Sequence, residues 1–199
     1  MHRALRSLAL TVLLVGTTSG LAAAKSFVIN PQAGLTASHR TNDPGDLSTS
    51  GRVGWSLGGN IRLGEKAYIA PGVYFQRTNI QLSQKDTVST GTIEDIVGVQ
   101  SVHLPLLVGV NMSTNPNGPG LGFRLFGGPA LTIVNKVDSN KFGITKDDYK
   151  SSSVGIQGGA GLDLAVLTFD VSYEAALGKV LKNSDAKQQT LRAAIGFKL

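Results

Sequence analysis

The chain has 199 residues, 41% of them hydrophobic and 16% charged, with a formal charge of +6 and no cysteine. That length suits one domain, and the missing cysteine excludes a disulfide framework, thiol catalysis and the lipid-bearing cysteine of a lipoprotein. Positive residues scatter among acids without a basic run, so the charge leaves no nucleic-acid footprint.

Residues 1–24 read as a secretory signal peptide. Arg3 and Arg6 precede the apolar run Leu8–Val15, and Ala22-Ala23-Ala24 offers a small-residue cleavage site before Lys25. The run is too short to span a bilayer as a helix, which takes about 20 residues. Removing Arg3 and Arg6 from +6 leaves +4 on the expected domain, residues 25–199.

Residue alternation then predicts strands throughout. The first covers about Phe27 to Ser38, followed by a polar loop from His39 to Ser50 with the turn signal Asn42-Asp43-Pro44-Gly45. The second covers about Arg52 to Leu63, and Gly64-Glu65-Lys66 turns it into a third, about Ala67 to Ile80. After the polar loop Gln81–Asp95, a fourth strand runs from about Gly98 to Met112. Ser113–Pro119, holding Asn117-Gly118, is a turn, and a fifth strand follows from Gly120 to Val134. Asn135–Ser151 is a charged loop.

The clearest stretch is Ser153 to Leu177. Val154, Ile156, Ala160, Leu162 and Leu164 share one face, and the phase slips at Val166-Leu167. Phe169, Val171, Tyr173 and Ala175 then continue it, which describes a tight hairpin of a sixth and a seventh strand. After Gly178–Lys187, an eighth strand carries Leu191, Ala193, Ile195, Phe197 and Leu199 on one face. No helix of useful length is expected. The connections alternate between long and short.

Alternation alone leaves two arrangements open. The apolar face points inward in a soluble lipocalin-like barrel and outward in a membrane barrel. Three features favour outward. Most strand glycines, among them Gly34, Gly54, Gly72, Gly109, Gly159 and Gly161, lie on the polar face. Glycine weakens a strand but suits the narrow interior of an eight-stranded barrel. Phe27, Phe123, Phe169 and Phe197 fall at one rim and Trp55 and Phe75 toward the other, like two aromatic girdles. The short turns share one end and the long loops the other, as periplasmic turns and extracellular loops do. The expected fold is therefore all-β: an eight-stranded antiparallel up-and-down transmembrane β-barrel in the bacterial outer membrane.

The chain resembles the small outer-membrane β-barrels of the PorT-like type, and more distantly OmpX-like and opacity-type barrels. The resemblance lies in Val102-His103-Leu104-Pro105-Leu106-Leu107, Leu125-Phe126-Gly127-Gly128-Pro129 and Gly158-Gly159-Ala160-Gly161-Leu162-Asp163-Leu164. Many relatives carry an acidic residue where His103 stands. The end, with Phe197 and Leu199, resembles the C-terminal signal read by the barrel-assembly machinery. The resemblance implies a barrel type, with an accessory role in an envelope or secretion complex as one function.

The inward charges Arg124, Asp163, Asp170, Glu174, Arg192 and Lys198 are the candidates for a site. The reading preferred here is a structural salt-bridge cluster that plugs the lumen, with Arg192 paired to Asp170 or Glu174. Outer-membrane lipid, lipopolysaccharide phosphates and a surface ligand or envelope protein are the expected partners. A lipid A-modifying enzyme is the rival class, and it would use His39 beside Ser38 at the outer rim. No cofactor, metal site or catalytic set is expected. The expected domain, residues 25–199, has two histidines and no cysteine, which argues against zinc, and no helix follows the glycines as a phosphate loop requires.

Overall fold

The computed structural model describes residues 27–41, 47–85, 92–112, 121–138, 151–178 and 187–199. The expected signal peptide, the turn at 113–119 and most of the long loops lie outside the described residues.

Eight strands follow in chain order: β1 Phe27–Thr41, β2 Leu47–Leu63, β3 Ala67–Lys85, β4 Thr92–Asn111, β5 Leu121–Val137, β6 Ser152–Leu164, β7 Leu167–Ala176 and β8 Lys187–Phe197. Each pairs with the next, and β8 pairs antiparallel with β1, so the sheet closes into a barrel. Closure leaves no unpaired sheet edge, as a membrane-spanning sheet requires. The end of the chain completes the seam, because Ile29 and Leu199 exchange backbone hydrogen bonds of 3.1 and 2.9 Å.

Several strands outrun their expected limits. The polar segment beyond Ile80 continues the ladder, with Leu82 opposite Asp95 and Lys85 opposite Thr92. Leu47 likewise pairs with Gln84. Alternation is imposed only where one face must be apolar, whereas backbone pairing continues through polar residues. Hydropathy therefore marks the membrane part of each strand and misses its extension.

Two irregularities interrupt the register. One lies between Arg52 and Trp55 against β3. The other lies on β5, where Ser101 faces Val134 and Gln100 faces Lys136, leaving Asn135 as the extra residue of a bulge. Two tight turns share one end of the barrel. Gly64 takes φ 124° in the first, and Ala165 takes φ 52° in the two-residue β6–β7 turn. A positive first φ suits the right-handed twist of a hairpin. The strands are also tilted. A hydrogen-bonded rung followed from Lys136 on β5 through Arg77, Trp55, Leu35 and Val171 returns to β5 far lower, at Leu125.

The faces are those of a membrane barrel. Leu35, Val73, Leu106, Ile156 and Leu191 are exposed on the outside, while Asn30, Gln32, Ser56, Gln76 and Arg124 are buried within. All six expected girdle residues, Phe27, Trp55, Phe75, Phe123, Phe169 and Phe197, are on the outside. Inward glycines make room for large neighbours. A Cβ at Gly109 would strike the Tyr68 ring, and one at Gly159 would lie 2.7 Å from the Phe126 ring. Tyr68, Ala70 and Leu107, with Phe126 against them, form a small apolar lining on β3–β5.

Candidate functional site

The barrel interior holds two polar layers. The lower layer sits near the tight turns. Asp163, the next-to-last residue of β6, accepts hydrogen bonds from Arg62 Nη1 at 3.0 Å and Arg124 Nε at 2.9 Å. Lys198 Nζ lies 3.7 Å from the same carboxylate. Arg124 Nη2 donates to Asp170 Oδ1 at 2.7 Å, and Gln32 donates its amide to Asp170 Oδ2. Arg62, Arg124 and Asp163 are at most 4% exposed. Three cations thus share two carboxylates. Such a cluster holds only if its partners remain together, because an unpaired buried charge is very costly.

Glycine shapes this layer too. A Cβ at Gly161 would collide with Asp170 Oδ1 and approach Arg124 Nη2 to 2.7 Å. The glycine-rich run of β6 is thus the floor on which the ion pair lies.

The upper layer is mostly neutral. Arg192 Nη2 donates to Gln76 Oε1 at 2.9 Å, and its guanidinium lies 5.0 Å from the Tyr74 ring centroid. His103, fully buried, has Nδ1 3.0 Å from Thr132 Oγ1 and Nε2 3.2 Å from Gln157 Oε1. Gln157 donates its own amide to Ser172 Oγ at 3.0 Å. Its Oε1 is therefore left to accept, which places the imidazole proton on Nε2. Glu174 Oε2 lies 3.5 Å from His103 Nδ1.

One bridge joins the layers. Tyr74 Oη donates to Gln32 Oε1 at 2.7 Å, and Gln32 in turn holds Asp170. The lumen between these groups is nearly filled. Two internal voids offer water centres about 20 and about 30 Å³. Each has room for one or two waters and none for a solute.

Arg124, Asp163 and Asp170 come together as one cluster, with Lys198 at its margin. Arg192 and Glu174 stand apart from it in the upper layer. The expected pairing of Arg192 with Asp170 or Glu174 is replaced by Gln76 and Tyr74. The reason is register: Arg192 faces Ser172 across β7, and Asp170 faces Ala194. Asp170 is taken by Arg124 from across the lumen. Sequence reasoning missed Arg62, which shares the inward face with Asn60 and Gly58, and His103 as a lumen hub. Both were legible as inward positions by alternation. The expected proximity of His39 to Ser38 also fails. His39 points outward and is exposed, whereas Ser38 is buried inside, 2.8 Å from Thr190 Oγ1. Among the described residues no cluster of His, Cys, Asp or Glu has the makings of a metal site.

Residues 14–182 match the family described as outer membrane protein beta-barrel domain. Among curated proteins, none matches the chain. Several solved structures are similar in fold at low identity. OprG of Pseudomonas aeruginosa is 13% identical with a TM-score of 0.51, covering 88% of this chain and 97% of that one. Ail of Yersinia pestis, solved in complex with the heparin analogue sucrose octasulfate, is 17% identical with a TM-score of 0.45, covering 86% and 99%. Neisserial surface protein A is 15% identical with a TM-score of 0.45, covering 88% and 100%.

Proposed function

The chain belongs to the outer membrane protein β-barrel family, and from that premise we propose that it works through its surface, neither transporting solutes nor catalysing a reaction. It is a small outer-membrane barrel and not a large-solute porin. The observation that carries the surface-binding reading is the lumen filled by the Arg62–Asp163–Arg124–Asp170 cluster. A barrel whose interior is spent on its own ion pairs has its wall and loop-bearing rim left for partners.

Planar-bilayer recording of the refolded protein is the test. No discrete conductance steps are expected, and stable steps of porin size would overturn the reading. Deleting residues 139–150 should keep the heat-dependent gel shift of a folded barrel while abolishing surface binding. The enzymatic rival predicts a lipid A mass change that depends on His39. With His39 and Ser38 on opposite faces, the lipid A mass should stay the same.

The PorT-type resemblance lies in the motifs of β4, β5 and β6. It supports a second reading, an accessory of an envelope or secretion complex, tested by co-purification of envelope proteins with the intact barrel. The terminal Phe197 and Leu199 support recognition by the barrel-assembly machinery. Replacing Phe197 with Ser should lower the amount inserted in the outer membrane.

A further inference from the structure

Among the described residues, the outer wall carries a charged sector on β2–β5. Trp55 on β2 faces Arg77 on β3, Arg77 faces Gln100 on β4, and Gln100 faces Lys136 on β5. Residues directly opposed across a ladder point to the same side of the sheet. Trp55 is exposed on the outside, so Arg77 and Lys136 lie on the outside with it. Because the rung climbs from β2 toward β5, these cations stand above the tryptophan. With strands ~4.8 Å apart and tilted ~40°, each step rises about 3 Å. Arg77 is then about 3 Å and Lys136 about 9 Å above Trp55. Tryptophan prefers the boundary between hydrocarbon and headgroups, so the cations fall in the headgroup layer.

The sector is held in place. Arg77 donates Nε to Asn79 Oδ1 at 3.2 Å and Nη2 to Asp138 Oδ2 at 2.6 Å, and Asn79 is tied to the Val53 carbonyl at 2.9 Å. These bonds orient the guanidinium and leave Nη1 as a further donor. Arg52, exposed and opposite Asn79, lies one rung up. Elsewhere the wall differs: outward positions of β6 and β7, such as Val154, Ile156, Tyr173 and Ala175, carry no charge.

We propose that this β2–β5 sector docks the phosphates of a phosphorylated glycolipid of the outer leaflet. Charge complementarity selects an anion, a guanidinium suits phosphate geometry, and the height above Trp55 selects a lipid headgroup as its source. The proposal rests on the surface-binding reading and on the orientation that puts the tight turns in the periplasm.

Trp55 is the only tryptophan in the chain, so its fluorescence reports on the site. The full barrel, refolded in neutral detergent, would be titrated with bis-phosphorylated lipid A, with the dephosphorylated glycolipid and with inorganic phosphate. The bis-phosphorylated lipid should give a saturable change in emission, and the other two none. Arg77→Gln with Lys136→Gln should weaken binding about tenfold or more, and raised salt should weaken the wild type similarly. Should the double variant fail to fold, Lys136→Gln alone, at an exposed position, carries the comparison. Equal titration of wild type and variant overturns the proposal, and an equal response to inorganic phosphate overturns its lipid assignment. A protease site placed within 139–150 of the full chain in intact cells separates the two levels of failure. Cleavage from outside with equal titrations means that the docking site alone is wrong. Protection from cleavage means that the orientation, and the proposal with it, is wrong.

Discussion

The two layers of the lumen solve the same problem differently. Both must bury polar groups inside a closed barrel. The lower one does so with charge: Arg62, Arg124 and Lys198 around Asp163 and Asp170. The upper one does so with mostly neutral groups, Gln76, Tyr74, His103, Gln157 and Ser172, around Arg192, with Glu174 beside His103. The difference lies in what a deletion leaves behind. Taking one carboxylate from the lower layer strands several charges, whereas taking one neutral member from the upper layer strands a hydrogen bond.

Asp163→Asn is therefore expected to have the largest effect. It removes the charge shared by Arg62, Arg124 and Lys198, and the loss should be about 3–5 kcal/mol, as for breaking a buried ion pair. The urea midpoint of the refolded barrel in detergent reads it. An unchanged midpoint would mean that the shared charge of Asp163 does not hold the lower layer together. Gly161→Ala tests the same layer through space. Its Cβ would push against Asp170 and Arg124, and overpacking of this kind costs about 1–3 kcal/mol. Arg192→Leu should cost less, about 1–2 kcal/mol, for one hydrogen bond to Gln76 and one cation–π contact. A greater loss for Arg192→Leu than for Asp163→Asn would invert the comparison.

This contrast shows what the sequence could and could not reveal. Alternation located all eight strands and placed Arg124, Asp163 and Asp170 indoors. Three inward charges in a narrow lumen must meet, so the lower cluster was legible as a group. Partner choice was not. Arg192 lies beside β7, yet Asp170 is held by Arg124 from β5, because stagger and side-chain length decide reach across a barrel. Lys136 was hidden for another reason. It reads as the start of a charged loop, and only the continued ladder and the extra residue Asn135 bring it onto the rung of Trp55. By alternation Arg77 shares the apolar face of Phe75. Its companions Asp138 and Lys136 come from β5 and just beyond its end, where hydropathy had already changed.

The finest test is whether the two layers act independently. Their sole described bridge is Gln32, which takes a hydrogen bond from Tyr74 and gives one to Asp170. Asp163 and Arg192 share no direct partner. Distant sites without shared partners add within about 0.3–0.5 kcal/mol. A double-mutant cycle of Asp163→Asn and Arg192→Leu should therefore show coupling no larger than that, read from the same urea midpoints. Coupling above about 1 kcal/mol would make the lumen one network. Repeating the cycle in a Gln32→Leu background would then show whether this single amide carries the connection, because only in that case would the coupling disappear.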